Sequence, residues 1–337
     1  MQDILFFSVV LKERLWGGNK LASRYGKKSD KLIGEAWILS GHSEGESVVK
    51  NGSFKGRTLN DLYLNEKQLF GASNYEKFPL LIKILDAQKM LSVQVHPNDE
   101  YAMKHHHDYG KNECWYILSA KKGANIIYGQ KVRSKTDFKD AIDNQKWDEV
   151  LNYVPVKKDD FYNVPVGTIH AIGGGIEILE IQQSSDVTYR LYDFDRVDQN
   201  GKKRELHIKE SLDVIDFDVK RPLIELKKYG DVERLVENKY FTVDKVIPKS
   251  EVYVKNGTDL YTILYARKRD VTIVLNGKKY QIKKNKVALL SKDVNEFTIL
   301  PEGELFIVKE RALSLNLMYD MWNMRIYAHF SFFFLIA

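Results

Sequence analysis

Residues 91–99 read LSVQVHPND. Val93 and Val95 alternate with Gln94 and His96, the period-two pattern of a strand, and Pro97-Asn98-Asp99 ends it in a turn. On such a strand Ser92, Gln94 and His96 share one face while the valines take the other. An amide and an imidazole side by side are costly to bury unless something pairs with them. The face that carries them is therefore the place to look for chemistry.

The 337 residues are 44% hydrophobic and 29% charged with seven prolines, a soluble globular composition long enough for one large domain or two ordinary ones. Two are expected. The net charge of +6 is spread over lysines and arginines mixed with nearly as many acids, with no basic block, so nucleic acid is not an expected partner. Cys114 is the only cysteine, which excludes an internal disulfide and points to a reducing, cytoplasmic setting. MQDILFFSVVLKERLWGG at the N-terminus reads as a first strand rather than a signal peptide. HFSFFFLIA at the C-terminus is far shorter than the roughly 20 residues of a membrane span, so no membrane partner is expected.

Most apolar segments are short, β-branched or aromatic, and separated by Gly, Asn, Asp or Lys-rich turns, as in sandwiches and barrels. Three helical patterns interrupt them: TLNDLYLNEKQLFG from Thr58 to Gly71, TDFKDAIDNQKWDEVLNYV from Thr136, and RELHIKESLDVIDF from Arg204. Beyond about residue 216 the chain turns lysine-rich and strand-like, and Asn276-Gly277 between two alternating runs predicts a hairpin. The expected organisation is a first unit at 1–225, a smaller β unit at 226–312, and an atypical tail at 313–337. The smaller unit has no histidine, so imidazole chemistry belongs upstream.

Three pieces carry that chemistry. Gln94-x-His96 lies on one strand; GKNECWYIL puts Lys111 and Glu113 on one face of another; VPVGTIH makes a Pro165-Gly167 turn that ends at His170. Two imidazoles, a carboxylate and an amide oxygen form a sensible donor set for a divalent ion of the zinc type. The triplet His105-His106-His107 lies in a segment that reads as a short helix opening at Asn98 or Asp99. Three consecutive helical residues point three ways, so a solvated face is expected there. Cys114 faces away from the ligand set and is not expected to act as a nucleophile.

In this order the pieces resemble the two motifs of the cupin superfamily. RLWGGNKL, GEAWILSGH, LSVQVHPND, GKNECWYIL, VPVGTIHAI and SSDVTYRLYDFDR, spread over residues 14–196, resemble type I mannose-6-phosphate isomerases, specifically the short Gram-positive form. The resemblance implies a mostly β fold, a cupin (jelly-roll) barrel with a few helices plus a smaller C-terminal β domain. It implies one Zn2+ per subunit held by Gln94, His96, Glu113 and His170, and a phosphorylated hexose substrate. It makes Arg190 the active-site arginine, Glu180 a site carboxylate, Lys111 and Ser92 polar lining, and Trp16 a further substrate contact. Asp159 stands where relatives tend to have glycine, and Asp tolerates a left-handed backbone.

Such a site would move a proton between C2 and C1 of a sugar phosphate through an enediol, with Arg190 stabilising the developing oxyanion. Glu180, if burial raises its pKa, Lys111, if its own is depressed, or a metal-bound water can carry the proton. His96, Glu113 and His170 alone also match an Fe(II) oxygenase triad, and a sugar-binding cupin without catalysis is a third reading. A monomer and a dimer fit the sequence equally.

Overall fold

Ile33–Ser40, Leu80–Ala87 and Ile176–Gln183 are buried at every position, although they carry Glu35, Lys83, Glu180 and Gln182. Strands covered on one face alternate apolar with polar; these are covered on both, which is why they read as nearly unbroken apolar runs. They form the centre of an antiparallel six-stranded sheet ordered Val10–Gly18, Ile33–Ser40, Leu80–Ala87, Ile176–Gln183, Glu113–Ala120, Phe161–Val164.

The computed structural model describes residues 2–311 apart from 28, 74, 198–199 and 219–225. Among these residues the strands make four sheets. A five-stranded sheet ordered Tyr189–Tyr192, Val93–Val95, His170–Ile172, Asn125–Gln130, Leu151–Pro155 faces the six-stranded one. Leu85, Trp115, Ile117 and Ile178 from one sheet meet Ile126 and Ile172 from the other in a shared core. This is the expected jelly-roll barrel of the cupins. Val93, Val95 and Leu191 lie on its outer face, against the helices Lys135–Asp143 and Ile208–Val214.

The outer face of the six-stranded sheet, with Ile82, Cys114, Tyr116, Leu179 and Ile181, packs on a seven-stranded sheet through Phe241, Tyr265, Phe306 and Val308. That sheet runs Ile4–Phe6, Val287–Leu290, Thr262–Ala266, Leu305–Glu310, Phe241–Val246, Val232–Glu237, Lys227–Tyr229. Its first strand comes from the N-terminus, with Ile4 opposite Leu290. A four-stranded sheet closes the far side over a separate apolar core. Asn276 and Gly277, both with positive φ, make the expected hairpin between Val271–Leu275 and Lys278–Ile282. The expected tail at 313–337 lies outside the described residues, as does residue 225 at the expected boundary. No helix among the described residues is long and apolar enough to cross a membrane.

Two helix expectations need correction. The 58–71 segment is two helices, Leu59–Asn65 capped by Thr58 and Lys67–Phe70, because Glu66 leaves helical dihedrals while Arg57 holds its carboxylate. The helix expected from Thr136 is Lys135–Asp143, and its cap is Ser134, whose hydroxyl accepts from Asp137 N, not Thr136. It stops before Gln145, whose φ of 58° breaks it, and Leu151–Pro155 continues as a strand.

Glu310 closes the last strand of the seven-stranded sheet and is almost fully buried. Ser73 Oγ donates to it, and the same hydroxyl meets Tyr63 Oη at 2.5 Å. Burial pushes this carboxyl from 4.5 up to about 7, against the Ser73 hydrogen bond and the pull of Lys67. An acid with a raised folded-state pKa stabilises the fold fully below its unfolded pKa, and that contribution disappears as pH rises through the folded value. The stability advantage of Glu310→Gln over the parent should therefore grow by about 2–3 kcal/mol between pH 4.5 and 8. Urea midpoints across that range would measure it, and a pH-independent difference would contradict the assignment.

Candidate metal centre

Strand pairing puts the polar residues of the barrel in two facing rows. Across the five-stranded sheet Arg190 lies opposite Gln94, Gln94 opposite His170, and His170 opposite Tyr128. Across the six-stranded sheet Gln182 lies opposite Glu113, and Glu180 lies between Lys83 and Trp115. The alternation read in residues 91–99 therefore turns Gln94 and His96 into the barrel. Two glycines let the loops deliver the rest. Gly167 has φ 79°, and its N–H donates to His96 O at 2.9 Å. At Gly110 a Cβ would lie 2.6 Å from the backbone of Asn98 and Asp99, so only glycine brings Lys111 so close to that helix start.

His96, Glu113 and His170 are all buried, and one ligand atom from each lies within 4.8 Å of the other two. His170 Nε2 is 3.3 Å from Glu113 Oε1, and His96 Nε2 is 3.5 Å from Glu113 Oε2. Each imidazole has its Nδ1 against a backbone carbonyl, His96 on Val187 at 2.9 Å and His170 on Thr168 at 2.8 Å. A carbonyl can only accept, so Nδ1 carries the proton and Nε2 presents a lone pair. Burial, then the Lys111 charge, depress both imidazoles, His96 far below its usual value and His170 to about 3. Both rings are thus neutral, the form in which histidine binds metals.

The other expected residues gather around this trio to different degrees. Lys111 Nζ is 2.9 Å from His96 Nε2 and also bonds Glu113. Its pairing with Glu113 is buried on both sides. Gln94 presents Nε2 to His170 Nε2 at 3.2 Å. Glu180 is buried and takes hydrogen bonds from Trp115 Nε1 at 3.0 Å and Lys83 at 3.1 Å. Burial alone would raise its pKa, but Lys83 and Lys111 outweigh that and hold it ionised. The raised pKa that would make it a strong base is therefore absent. Arg190 Nη1 donates to Glu205 O at 2.8 Å, and its Nε is buried with no partner. Ser92 is buried just ahead of the strand, and Trp16 packs in the barrel core with Leu85 and Trp115.

Lys83 was missed. A single lysine inside LLIKILDA was its signal, since such a residue needs buried acids nearby. Glu180, Glu35 and Glu113 together raise its pKa despite burial. Glu35 is in turn held by Arg14 at 2.8 Å and Trp37 Nε1 at 2.6 Å. Asp159 has the left-handed backbone that was expected, φ 73°, and pairs with Arg267 of the C-terminal half at 2.7 Å. Cys114 faces the opposite core, where burial pushes its thiol well up, away from nucleophilic use.

The histidine triplet ends the helix Asp99–His106 and is exposed; His105 stacks on Tyr101 and His106 meets Tyr189 Oη at 2.6 Å. A second set, His42, Asp108 and Asp186, also converges. There His42 Nδ1 accepts the Glu44 N–H at 3.2 Å, so Nε2 carries the proton and has no lone pair to offer.

The chemistry of the first cluster fits a divalent cation. Two neutral imidazole nitrogens face a carboxylate whose Oε1 is buried without a hydrogen-bond partner. The neighbouring Lys83–Glu180 pair is separately testable. Lys83→Met should destabilise the fold by about 3–5 kcal/mol because it leaves buried carboxylates uncompensated. Adding Glu180→Gln should restore part of that loss, and a denaturation double-mutant cycle showing additive effects would refute the pairing.

The phosphomannose isomerase type I catalytic-domain family model matches residues 4–124, a span that includes Trp16, Ser92, Gln94, His96, Lys111 and Glu113. A mannose-6-phosphate isomerase of Streptococcus mutans is 51% identical over 216 residues, 64% of this chain and 68% of that one. The crystal structure of the mannose 6-phosphate isomerase from Bacillus subtilis superposes with a TM-score of 0.85 at 35% identity, covering 91% of this chain and all of that one. A zinc-bound mannose 6-phosphate isomerase shares the fold at a TM-score of 0.72 and 15% identity, covering 92% of this chain and all of the other. With a shared fold over 91% of the chain and 51% identity to such an enzyme over 216 residues, 68% of that enzyme's length, the chain belongs to the type I mannose-6-phosphate isomerase family of isomerases.

Proposed function

We propose that the chain interconverts mannose 6-phosphate and fructose 6-phosphate through an enediol, in hexose-phosphate metabolism, with one zinc ion held by Gln94, His96, Glu113 and His170. The observation that carries this reading is the convergence of two neutral imidazoles on an unpartnered, buried carboxylate oxygen inside the barrel. Zinc bound there would supply Lewis acidity toward the developing oxyanion without redox change. Gln94 joins the donors by a half-turn of its terminal amide, which exchanges the positions of Oε1 and Nε2. Catalysis is assigned to residues 1–225, with 226–312 as its support.

In the forward direction the open-chain aldose loses a proton from C2 and gains one at O1. The enediol then loses the O2 proton and gains one at C1, so no atom or electron is left over. Glu180, already ionised through Lys83, accepts the C2 proton and returns it to C1. Lys111, buried beside His96 and Glu113, donates to the developing oxyanion. Arg190, beside Gln94 in the strand register and permanently charged, stabilises the same charge. Ser92 supplies a hydroxyl to the substrate from just ahead of the Gln94 strand, and Trp16 walls the barrel beneath it.

A coupled assay of fructose 6-phosphate formation should show activity that chelation abolishes and zinc restores. A folded, zinc-loaded sample without turnover would end the isomerase reading for this chain. Arg190→Ala should lower kcat by about 100-fold or more while metal content stays unchanged; loss of metal instead would make Arg190 a structural residue. Glu180→Gln should suppress solvent deuterium uptake at C1 of fructose 6-phosphate and cut kcat by about 100-fold or more. Undiminished exchange would move the proton to Lys111.

A further inference from the structure

Two adjacent glutamines in EIQQSSDVTYR take no part in the scheme above, yet both are almost fully buried. Because strand neighbours point to opposite faces, their amides reach opposite sides of the six-stranded sheet. Gln182, cross-strand from Glu113, donates through Nε2 to Gln183 O and Ser185 O, both at 2.8 Å. Those bonds curl the 183–187 loop; Ser185 Oγ then accepts the Val187 N–H at 3.3 Å, and Val187 O fixes the Nδ1 proton of His96. Gln183 acts on the other side. Its Oε1 accepts from Asn112 N at 3.0 Å and Asn112 Nδ2 at 3.1 Å, between Lys111 and Glu113. Its Nε2 donates to Asp99 Oδ1 at 2.9 Å, which also accepts the Gly110 N–H at 3.0 Å. Tyr240, from the C-terminal half, donates to the other oxygen of Asp99 at 2.5 Å.

We infer that Gln182 and Gln183 are positioning residues that set the metal centre, Gln182 through the loop that orients His96 and Gln183 through the turn that places Lys111 and Glu113. Tyr240 is the remote end of the second arm, and it gives the C-terminal sheet a direct mechanical share in the site. The inference rests on the metal reading proposed above. Groups that orient metal ligands commonly alter affinity by about 10–100-fold when removed.

The experiment compares zinc affinity, by competition with a chromophoric chelator, and the cobalt(II) absorption spectrum in the full chain and three variants. Gln182→Met and Gln183→Met should each weaken zinc binding at least about 10-fold and shift the cobalt bands. Tyr240→Phe, which removes one hydroxyl outside the proposed ligand set, should give a smaller change in the same direction and keeps the test open if a glutamine variant fails to fold. Asn256→Ala, at a buried amide of the C-terminal half bonded to Leu260 O and Thr262, is the control for lost stability alone. It should lower Tm and leave affinity and spectrum unchanged. Variants that lose Tm like the control while affinity and spectrum stay within twofold of the parent would overturn the positioning role and leave the metal reading intact. A parent chain that takes up neither zinc nor cobalt at His96, Glu113 and His170 would overturn both.

Discussion

The carboxylate of Glu113 lies wholly out of water between two imidazoles and a lysine, and the surrounding structure is arranged to hold it there. Removing an ionised carboxylate from water costs several kcal/mol even after relaxation, so its neighbours must supply positive charge or let it protonate. Burial drives this group toward protonation, and Lys111 and Lys83 oppose that. Both imidazoles are prevented from helping, because burial and then the Lys111 charge keep the rings neutral, outweighing the backbone carbonyls that accept from each Nδ1–H. A carboxylate that wants a cation, beside two nitrogens that cannot become cations, is the electrostatic condition for a metal site.

That condition depends on a sheet buried on both faces. The inner face of the six-stranded sheet is polar at the ligand end, with Glu113, Glu180, Gln182 and Lys83, and apolar elsewhere, with Trp115, Ile117 and Ile178. Its outer face rests on the seven-stranded sheet. Low dielectric strengthens every contact made there, and it penalises every contact missed. The C-terminal sheets therefore matter to the site although they contribute none of the expected ligands.

Legibility varied with the range of the interaction. The hairpin at Asn276-Gly277, the cap at Thr58 and the helix at Asp99–His106 were readable because each depends on neighbours in sequence, and the barrel class because its motifs resemble a family with that fold. The helix boundaries near 66 and 145 were not, since Glu66 is held by Arg57 and Gln145 turns left-handed, neither of which propensity reveals. Lys83 was hidden in an apolar run for the same reason. Its charge makes sense only beside Glu180 and Glu35, which come from other strands. The ionised state of Glu180 was also out of reach, because burial and the cations act on it in opposite directions and only geometry says which prevails.

The sequence by itself determined which residues could share a face. Period-two alternation places Ser92, Gln94 and His96 together, and Glu113 away from Cys114, whatever the rest of the chain does. It also restricted the family, through motifs whose residue types are expensive to bury without a purpose. Only the tertiary structure decided that the two faces meet, with His170 beside Gln94 in one sheet and Gln182 beside Glu113 in the other. It alone set the tautomers, through the carbonyls of Val187 and Thr168. Strand register is a long-range property, fixed by how two sheets close over a common core, and proton positions follow from contacts that register creates.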